Sequence, residues 1–296
     1  MKQFFLETTK ILVEAVRGFI RHKAPRLGAS LAFYTLLSLS PLLLLFLAIL
    51  GYLFGDEAAR GAITAQIQDL VGTEGARAID ALIANANHPS RSLLSTIIGV
   101  GVLLIGASSV FVELKDALDD IWEIPKSSRS ERGLGLRSLA RDRILAFLLI
   151  GVIASLLLVS LVASAVFSAI GERLVTHPIV QSTWVDVISY GTSFLLTTGL
   201  FAMIFRLLPT RRTPWRHVVT GAVLTSWLFF IGKWLIGLYL GRAAVGSAYG
   251  AAGSLVVLLV WVYYSTQILL FGAEVTRILD QQSIRHDAGV DFGKTT

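Results

Sequence analysis

Cysteine is absent from all 296 residues, which excludes a disulfide framework, a thiolate metal site and a cysteine nucleophile while leaving the redox compartment open. Charge is scarce. Only 16% of the residues are Asp, Glu, Lys or Arg, against 54% hydrophobic, and the mean hydropathy is +0.69. A globule of this length cannot bury so much apolar surface, so the solvent for the excess is lipid. Catalytic signatures are missing as well: there is no phosphate-binding glycine loop, no GxSxG, no HExxH and no cluster with metal-ligand spacing. The five histidines, His22, His88, His177, His217 and His286, fall at segment ends or in loops. One run of acids stands out, Asp116, Asp119, Asp120 and Glu123, but Lys115 and Lys126 flank it and Ile121 and Trp122 interrupt it. It reads as an interfacial helix rather than a two-metal site. The expectation is a protein that is not an enzyme and carries no cofactor and no metal. A net charge of +6 is small for a nucleic-acid binder, so no nucleic-acid partner is expected.

Crossing the hydrocarbon core takes about 20 mainly apolar residues in a helix, and six segments reach that length. They lie near 28–54, 92–113, 141–170, 184–208, 217–240 and 251–275. Their apolar runs lack strand alternation, and in lipid the backbone must satisfy itself, so the spans are helices rather than barrel strands. The fold class expected is an all-α integral membrane protein: a six-transmembrane-helix bundle, 25–276, preceded by an N-terminal amphipathic helix, 1–24, and followed by a cytoplasmic tail, 277–296. Lys and Arg are sided. Six fall in 1–27, seven in 114–143, four in 206–216 and three in 276–296, while the opposite side holds only Arg60, Arg77, Arg91, Arg173 and Arg242. Both termini are therefore expected in the cytoplasm, and the location expected is the bacterial inner membrane.

Charges spread through residues 1–23 leave no clean apolar core for a signal peptide. Phe5, Leu12, Val16, Phe19 and Ile20 fall on one helical face and Lys10, Glu14, Arg17 and Arg21 on the other. Two placements fit this pattern equally: a helix on an anionic inner leaflet, or one packed against the cytoplasmic ends of the spans. The loop at 55–91 is too long for a simple connection. Its two apolar faces, Ile63, Ile67, Leu70 and Val71, then Ile79, Leu82, Ile83 and Ala86, predict a helical periplasmic cap.

Four strings, "LGASLAFYTLLSLSPLL" at 27–43, "DALDDIW" at 116–122, "RLLPTRRTPWRHVVTGA" at 206–222 and "YGAAGSLVVLLVWVYYSTQILLFGAE" at 249–274, together resemble the YihY/BrkB family of bacterial inner-membrane proteins (the UPF0761 type). The resemblance covers about 25–277 in the right order. Where the family often has Asn before the Ile-Trp pair, this chain has Asp119 and Asp120. The resemblance implies six spans and an association with virulence and serum resistance, envelope lipid handling or transport. It also brings an old ribonuclease label, which the missing catalytic signatures do not support.

Ionisable groups inside a membrane cost about 2.5–3.5 kcal/mol or more at the centre, so each one needs a reason. Lys233 lies about 10 Å inside the outer end of the fifth span at 1.5 Å per residue, within reach of Asp186 or an anionic head group. Glu274 closes the sixth span on the face of Tyr263, Gln267 and Phe271, Glu113 closes the second, and Arg206 closes the fourth at the same level. Glu274 is read first as a salt bridge with Arg206 or another cytoplasmic cation, and otherwise, with Glu113, as an inner gate. Hydroxyl stripes at spacing four run along span one (Ser30, Tyr34, Ser38), span three (Ser160, Ser164, Ser168) and span four (Ser189, Ser193, Thr197). Such stripes serve as helix-packing glue or line a hydrated groove. Small residues at 246–254 let the outer half of span six approach a neighbour, within one chain or between two.

Three functions follow as alternatives. The first is handling or translocation of an envelope lipid or related amphiphile, with membrane lipids as partners whose anionic head groups meet the basic cytoplasmic rim. The second is an ion or small-solute transporter coupled through Glu274 or Glu113. The third is a non-transporting scaffold that holds an envelope protein partner at the 55–91 cap.

Overall fold

A computed structural model describes residues 2–38, 109–125, 178–242 and 253–292, with isolated positions between 55 and 80. Every described element is helical. We label them α1 (Lys2–Arg21), α2 (24–38) and α3 (109–121), α4 (Pro178–Leu207), α5 (Trp215–Arg242) and α6 (Gly253–Phe292). Among the described residues, three stretches are long and apolar enough to cross a membrane: Tyr190–Leu207, Trp215–Tyr239 and Leu255–Ile284. They correspond to the fourth, fifth and sixth expected spans. The third expected span, most of the first and second, the Ser160–Ser168 stripe and most of the 55–91 cap lie outside the described residues.

α6 runs well past the expected end of its span at 275 and reaches Phe292. At 1.5 Å per residue its 40 residues extend about 60 Å, roughly twice the hydrocarbon thickness. The helix continues because the charges that suggested an ending are covered by protein: Glu274, Arg277 and Asp280 are all buried.

α4, α5 and α6 pack side by side around an aromatic core. Phe201 stacks on Phe205 with centroids 6.2 Å apart, and Phe229 meets Phe201 and Trp261 edge-on, each at 5.9 Å. α5 and α6 run antiparallel, as their closest approaches show: Gly221 lies against Thr276, Thr225 against Gly272, and Gly232 against Tyr264 and Ile268. The first two approaches are reciprocal. Each helix carries Gly-x-x-x-Thr, and each Thr side chain occupies the space where the opposite Gly lacks a Cβ. Each Thr hydroxyl is satisfied within its own helix, Thr225 by Gly221 O at 2.6 Å and Thr276 by Gly272 O at 2.8 Å. The small residues at 246–252 that sequence periodicity pointed to lie outside the described residues.

α1 and α2 together run antiparallel to α6. Ala15 packs with Val275 and Ile278, Gly18 faces Glu274 and Gly28 faces Gln267. Between the two helices the chain turns at Lys23, whose φ of 53° is left-handed. Pro25 then opens α2, where a missing N–H costs nothing. α3 ends in the same way at Glu123, with φ 55°. Glu123 N donates to Asp120 O at 3.1 Å and Ile124 N to Asp119 O at 3.0 Å, the bond pair of a Schellman cap. Glycine is the usual occupant of that cap position, and a glutamate there costs about 1–2 kcal/mol.

Candidate functional site

Four elements meet where α1 turns into α2: that turn, the end of α3, the 208–214 loop between α4 and α5, and the distal part of α6. At the centre lies Glu274, fully buried. A carboxylate in such a place needs donors on both oxygens. His22 Nδ1 lies 2.5 Å from Oε1, and Arg277, one helical turn on, reaches Oε2 with Nε and Nη2, both at 3.1 Å. An ionised carboxylate only accepts, so His22 Nδ1 carries the proton. The other face of His22 turns toward Glu123, with Nε2 at 3.5 Å from Oε1. Glu123 also receives Arg277 Nη1 at 3.2 Å and Arg21 Nη2 at 2.5 Å. One clasp of two carboxylates, two guanidinium groups and one imidazole thus joins α1, α3 and α6.

The strained cap at Glu123 acquires a reason here, because the left-handed turn ends α3 and brings that carboxylate into the clasp. Gly18 has a reason too. A Cβ there would lie 2.6 Å from Glu274 Oε2 and 2.9 Å from its carboxyl carbon.

Beside the clasp, buried Asp119 clamps the interhelical loop. Its carboxylate accepts from Thr210 N and from Thr210 Oγ1, both at 2.8 Å. Trp122 Nε1 donates to buried Thr213 Oγ1 at 3.0 Å, and Arg206 donates to Thr213 O while stacking 5.6 Å from the Trp215 ring. Asp280 faces Arg211 Nε at 3.5 Å and His217 Nδ1 at 3.6 Å, and Arg216 bonds Ser283 at 2.7 Å. Asp119→Ala removes both acceptors that hold Thr210. At about 1.5–3 kcal/mol for hydrogen bonds to a charged group, the expected loss is about 2 kcal/mol, with the loop the first part to become protease-sensitive. Limited proteolysis by trypsin at Arg211 and Arg212 checks it.

The residues singled out in the sequence fare differently. Glu274 pairs with Arg277 and His22 rather than with Arg206, which is committed to Thr213 and Trp215. Glu113, half-buried on α3, accepts from Ser30 Oγ at 2.5 Å. The structure thus ties the α2 stripe to α3, and it keeps Glu113 and Glu274 in separate networks. Ser38 is buried and donates to Thr35 O at 3.0 Å, and Tyr34 meets Phe33 edge-on at 5.7 Å. On α4, Thr197 is buried and Ser193 half-buried. Lys233 is half-buried with Nζ 5.8 Å from the Phe230 ring centroid, and the Asp186 side chain lies outside those described. Gln267 faces Gly28 of α2. Its Nε2 and Oε1 are both buried with no hydrogen-bond partner among the described residues, as are Thr198 Oγ1 on α4 and Ser226 Oγ on α5.

Sequence reasoning did not single out Arg277 or Asp280; it met His22 only as a histidine at a segment end and Glu123 only within the acid run 116–123. The one local signal was Glu274 and Arg277 three residues apart on a helix, a spacing at which opposite charges meet.

Long apolar helices packed through glycine approaches, with paired charges gathered at one end, define a multi-pass helical membrane protein. The chain belongs to the family described as Virulence factor BrkB, which matches it over residues 15–291. Relatives named "UPF0761 membrane protein" occur in Alkalilimnicola ehrlichii, 29% identical over 88% of this chain and 56% of the relative, and in Verminephrobacter eiseniae, 30% identical over 88% and 60%. One from Pseudomonas aeruginosa is 26% identical over 92% of this chain and 63% of the relative. The chain thus spans about three fifths of the length of the curated relatives it matches. No solved structure matches it.

Proposed function

We propose that this protein sits in the bacterial inner membrane with both termini in the cytoplasm, and that it handles or translocates an envelope lipid or a related amphiphile without chemistry upon it. The observation that carries this reading is Gln267. An amide buried in α6 with neither end paired among the described residues costs about 1–3 kcal/mol for each unsatisfied group, and Leu at the same place would cost nothing of the kind. Retaining it makes sense if a polar guest completes it: a phosphate-ester oxygen accepts from Nε2, and a hydroxyl donates to Oε1. Gln267 lies about 10 Å from Glu274 along α6, toward the membrane interior from the clasp. The hydroxyls of Thr198 and Ser226, unpartnered among the described residues, add donors from α4 and α5. Arg211, Arg212 and Arg216 are exposed on the same side as the clasp and give anionic head groups a place to gather. Glu274, with both oxygens engaged, serves in this reading as structure, and Lys233 as a second contact for an anionic group.

The test is reconstitution into liposomes that carry a head-group-labelled phospholipid in both leaflets, followed by a membrane-impermeant quencher. Wild type is expected to bring quenching past the one-leaflet limit. Gln267→Leu is expected to abolish that excess while thermal stability holds or rises by about 1 kcal/mol. A wild type that leaves the inner leaflet protected, or a Gln267→Leu variant as active as wild type, overturns the reading.

A further inference from the structure

α1 carries a wide apolar arc of which the protein covers only part. Successive residues turn by about 100°, so the side chains fall into three sectors. Ile11, Ala15, Gly18, Phe19 and His22 face α6: Ala15 and Gly18 are buried, and the Phe19 ring meets Phe271 with centroids 6.2 Å apart. Next to that sector, Leu12, Val13, Val16 and Ile20 are exposed, Ile20 at 69%. On the far side lie Lys10, Glu14, Arg17 and Arg21, also exposed. The two placements open at the level of sequence are therefore compatible, because one helix has an apolar face for the protein and a second one left over.

Register sets the height of the second face within the bundle. Residues 15–22 of α1 are level with 274–278 of α6 through Ala15, Gly18 and His22. Residues 221–225 of α5 are level with 272–276 through the reciprocal glycine approaches. Val16 and Ile20 on α1 thus stand at about the same height as exposed Val219 and Val223 on α5, which continue into exposed Trp227, Ile231 and Trp234 of the membrane-crossing stretch. Trp215, also exposed, sits at the edge of that surface as interfacial tryptophans do.

We propose that the second half of α1 is sunk into the leaflet on the arginine-rich side, with Leu12, Val13, Val16 and Ile20 against its acyl chains and Lys10, Arg17, Lys23 and Arg26 among anionic phosphates. α1 is then a lipid-contacting wall of the bundle, with the clasp behind it. The exposed apolar row stands at the height of the exposed apolar face of α5, and five exposed cations, Lys10, Arg17, Arg21, Lys23 and Arg26, against one exposed acid, Glu14, match an anionic leaflet. This inference rests on the membrane class alone and stands whether or not a lipid is translocated.

The absence of cysteine makes the test direct. Single-cysteine variants of the full chain, Val16→Cys and Ile20→Cys, with Glu14→Cys and Val223→Cys as aqueous and lipid references, are spin-labelled and reconstituted into vesicles of phosphatidylethanolamine and phosphatidylglycerol. All four positions are exposed or on the surface of their helix, so folding is retained, and size-exclusion elution verifies it. The nitroxides at 16 and 20 are expected to collide with oxygen more than with a nickel chelate, as at 223, and the order is expected to reverse at 14. Nickel access at 16 and 20 equal to that at 14 overturns the proposal by placing the face in water. Protection from both collision partners with spin–spin broadening overturns it in favour of a second copy of the chain.

Discussion

Glu274→Ala is expected to cost about 3–5 kcal/mol of stability, the usual consequence of removing one partner from a buried ion pair. The reason lies in what remains. Arg277 is buried, and without Glu274 its nearest carboxylate is Glu123, whose side chain is 48% exposed and already shared with Arg21. His22, with Nδ1 aimed at the vacated position, loses its close acceptor. The guanidinium would then be desolvated and half-paired, which is more expensive than having no charge there at all. Glu274→Ala combined with Arg277→Met is therefore expected to recover much of the loss, since apolar replacement of a whole buried pair is often neutral. Gly18→Ala is expected to act in the same direction through a different atom, because the new methyl must displace the Glu274 carboxylate. Thermal unfolding in detergent, followed by tryptophan fluorescence, measures all three. A loss for Glu274→Ala below about 1 kcal/mol, the range of solvated surface pairs, would mean that water reaches the clasp.

The three described spans were legible because length and hydropathy are summed properties that survive ignorance of the partner. Expected at 184–208, 217–240 and 251–275, they overlap the apolar stretches Tyr190–Leu207, Trp215–Tyr239 and Leu255–Ile284 of three longer helices. The sixth helix runs furthest past its expected bounds, and for a physical reason. A carboxylate and a guanidinium read from sequence look like an exit into water, whereas Glu274 and Arg277 neutralise each other inside protein and let α6 continue. The apolar arc of α1 was legible too, but periodicity cannot show that half the arc is covered and half is bare. Of the clasp, Glu274 was visible as an oddity, while its pairing with His22 spans 252 positions of sequence and follows from the antiparallel run of α1 along α6. His22 looked like one more histidine at the end of a segment. Asp119 looked like one acid in a charged run, although both of its carboxylate oxygens are committed to Thr210 of the 208–214 loop.

Gly272→Leu is expected to unfold or grossly destabilise the α5–α6 pair, a larger effect than any change at an exposed apolar position. A Cβ alone at 272 would meet Thr225 Cβ at 2.9 Å and Cγ2 at 3.1 Å as well as its hydroxyl. Thr225 has no easy retreat, because its hydroxyl is held by Gly221 O and its β-branched side chain keeps few rotamers. The helices themselves would have to separate, and the same separation would pull Thr276 out of the space above Gly221. Overpacking costs about 1–3 kcal/mol per site, and the reciprocal geometry makes one substitution spoil two sites. Gly272→Ala should show the milder form of the same loss. A double-mutant cycle separates this account from a general intolerance of α6. Thr225→Gly alone is expected to destabilise by leaving a void, yet in combination with Gly272→Ala it should be less harmful than the sum, with a coupling of about 0.5–3 kcal/mol. Additive losses in that cycle would mean that Gly272 is required for some reason other than Thr225. Sequence offers a partial guide to this contact: Gly221-Ala-Val-Leu-Thr225 and Gly272-Ala-Glu-Val-Thr276 share a small-x-x-x-small spacing, a spacing that permits close helix approach. What the spacing could not supply was the antiparallel register that sets each glycine opposite the other helix's threonine. That register also fixes the height of α1, the clasp and Gln267 relative to the lipid-facing surface of α5, so loosening it at Gly272 should disturb every site described above at once.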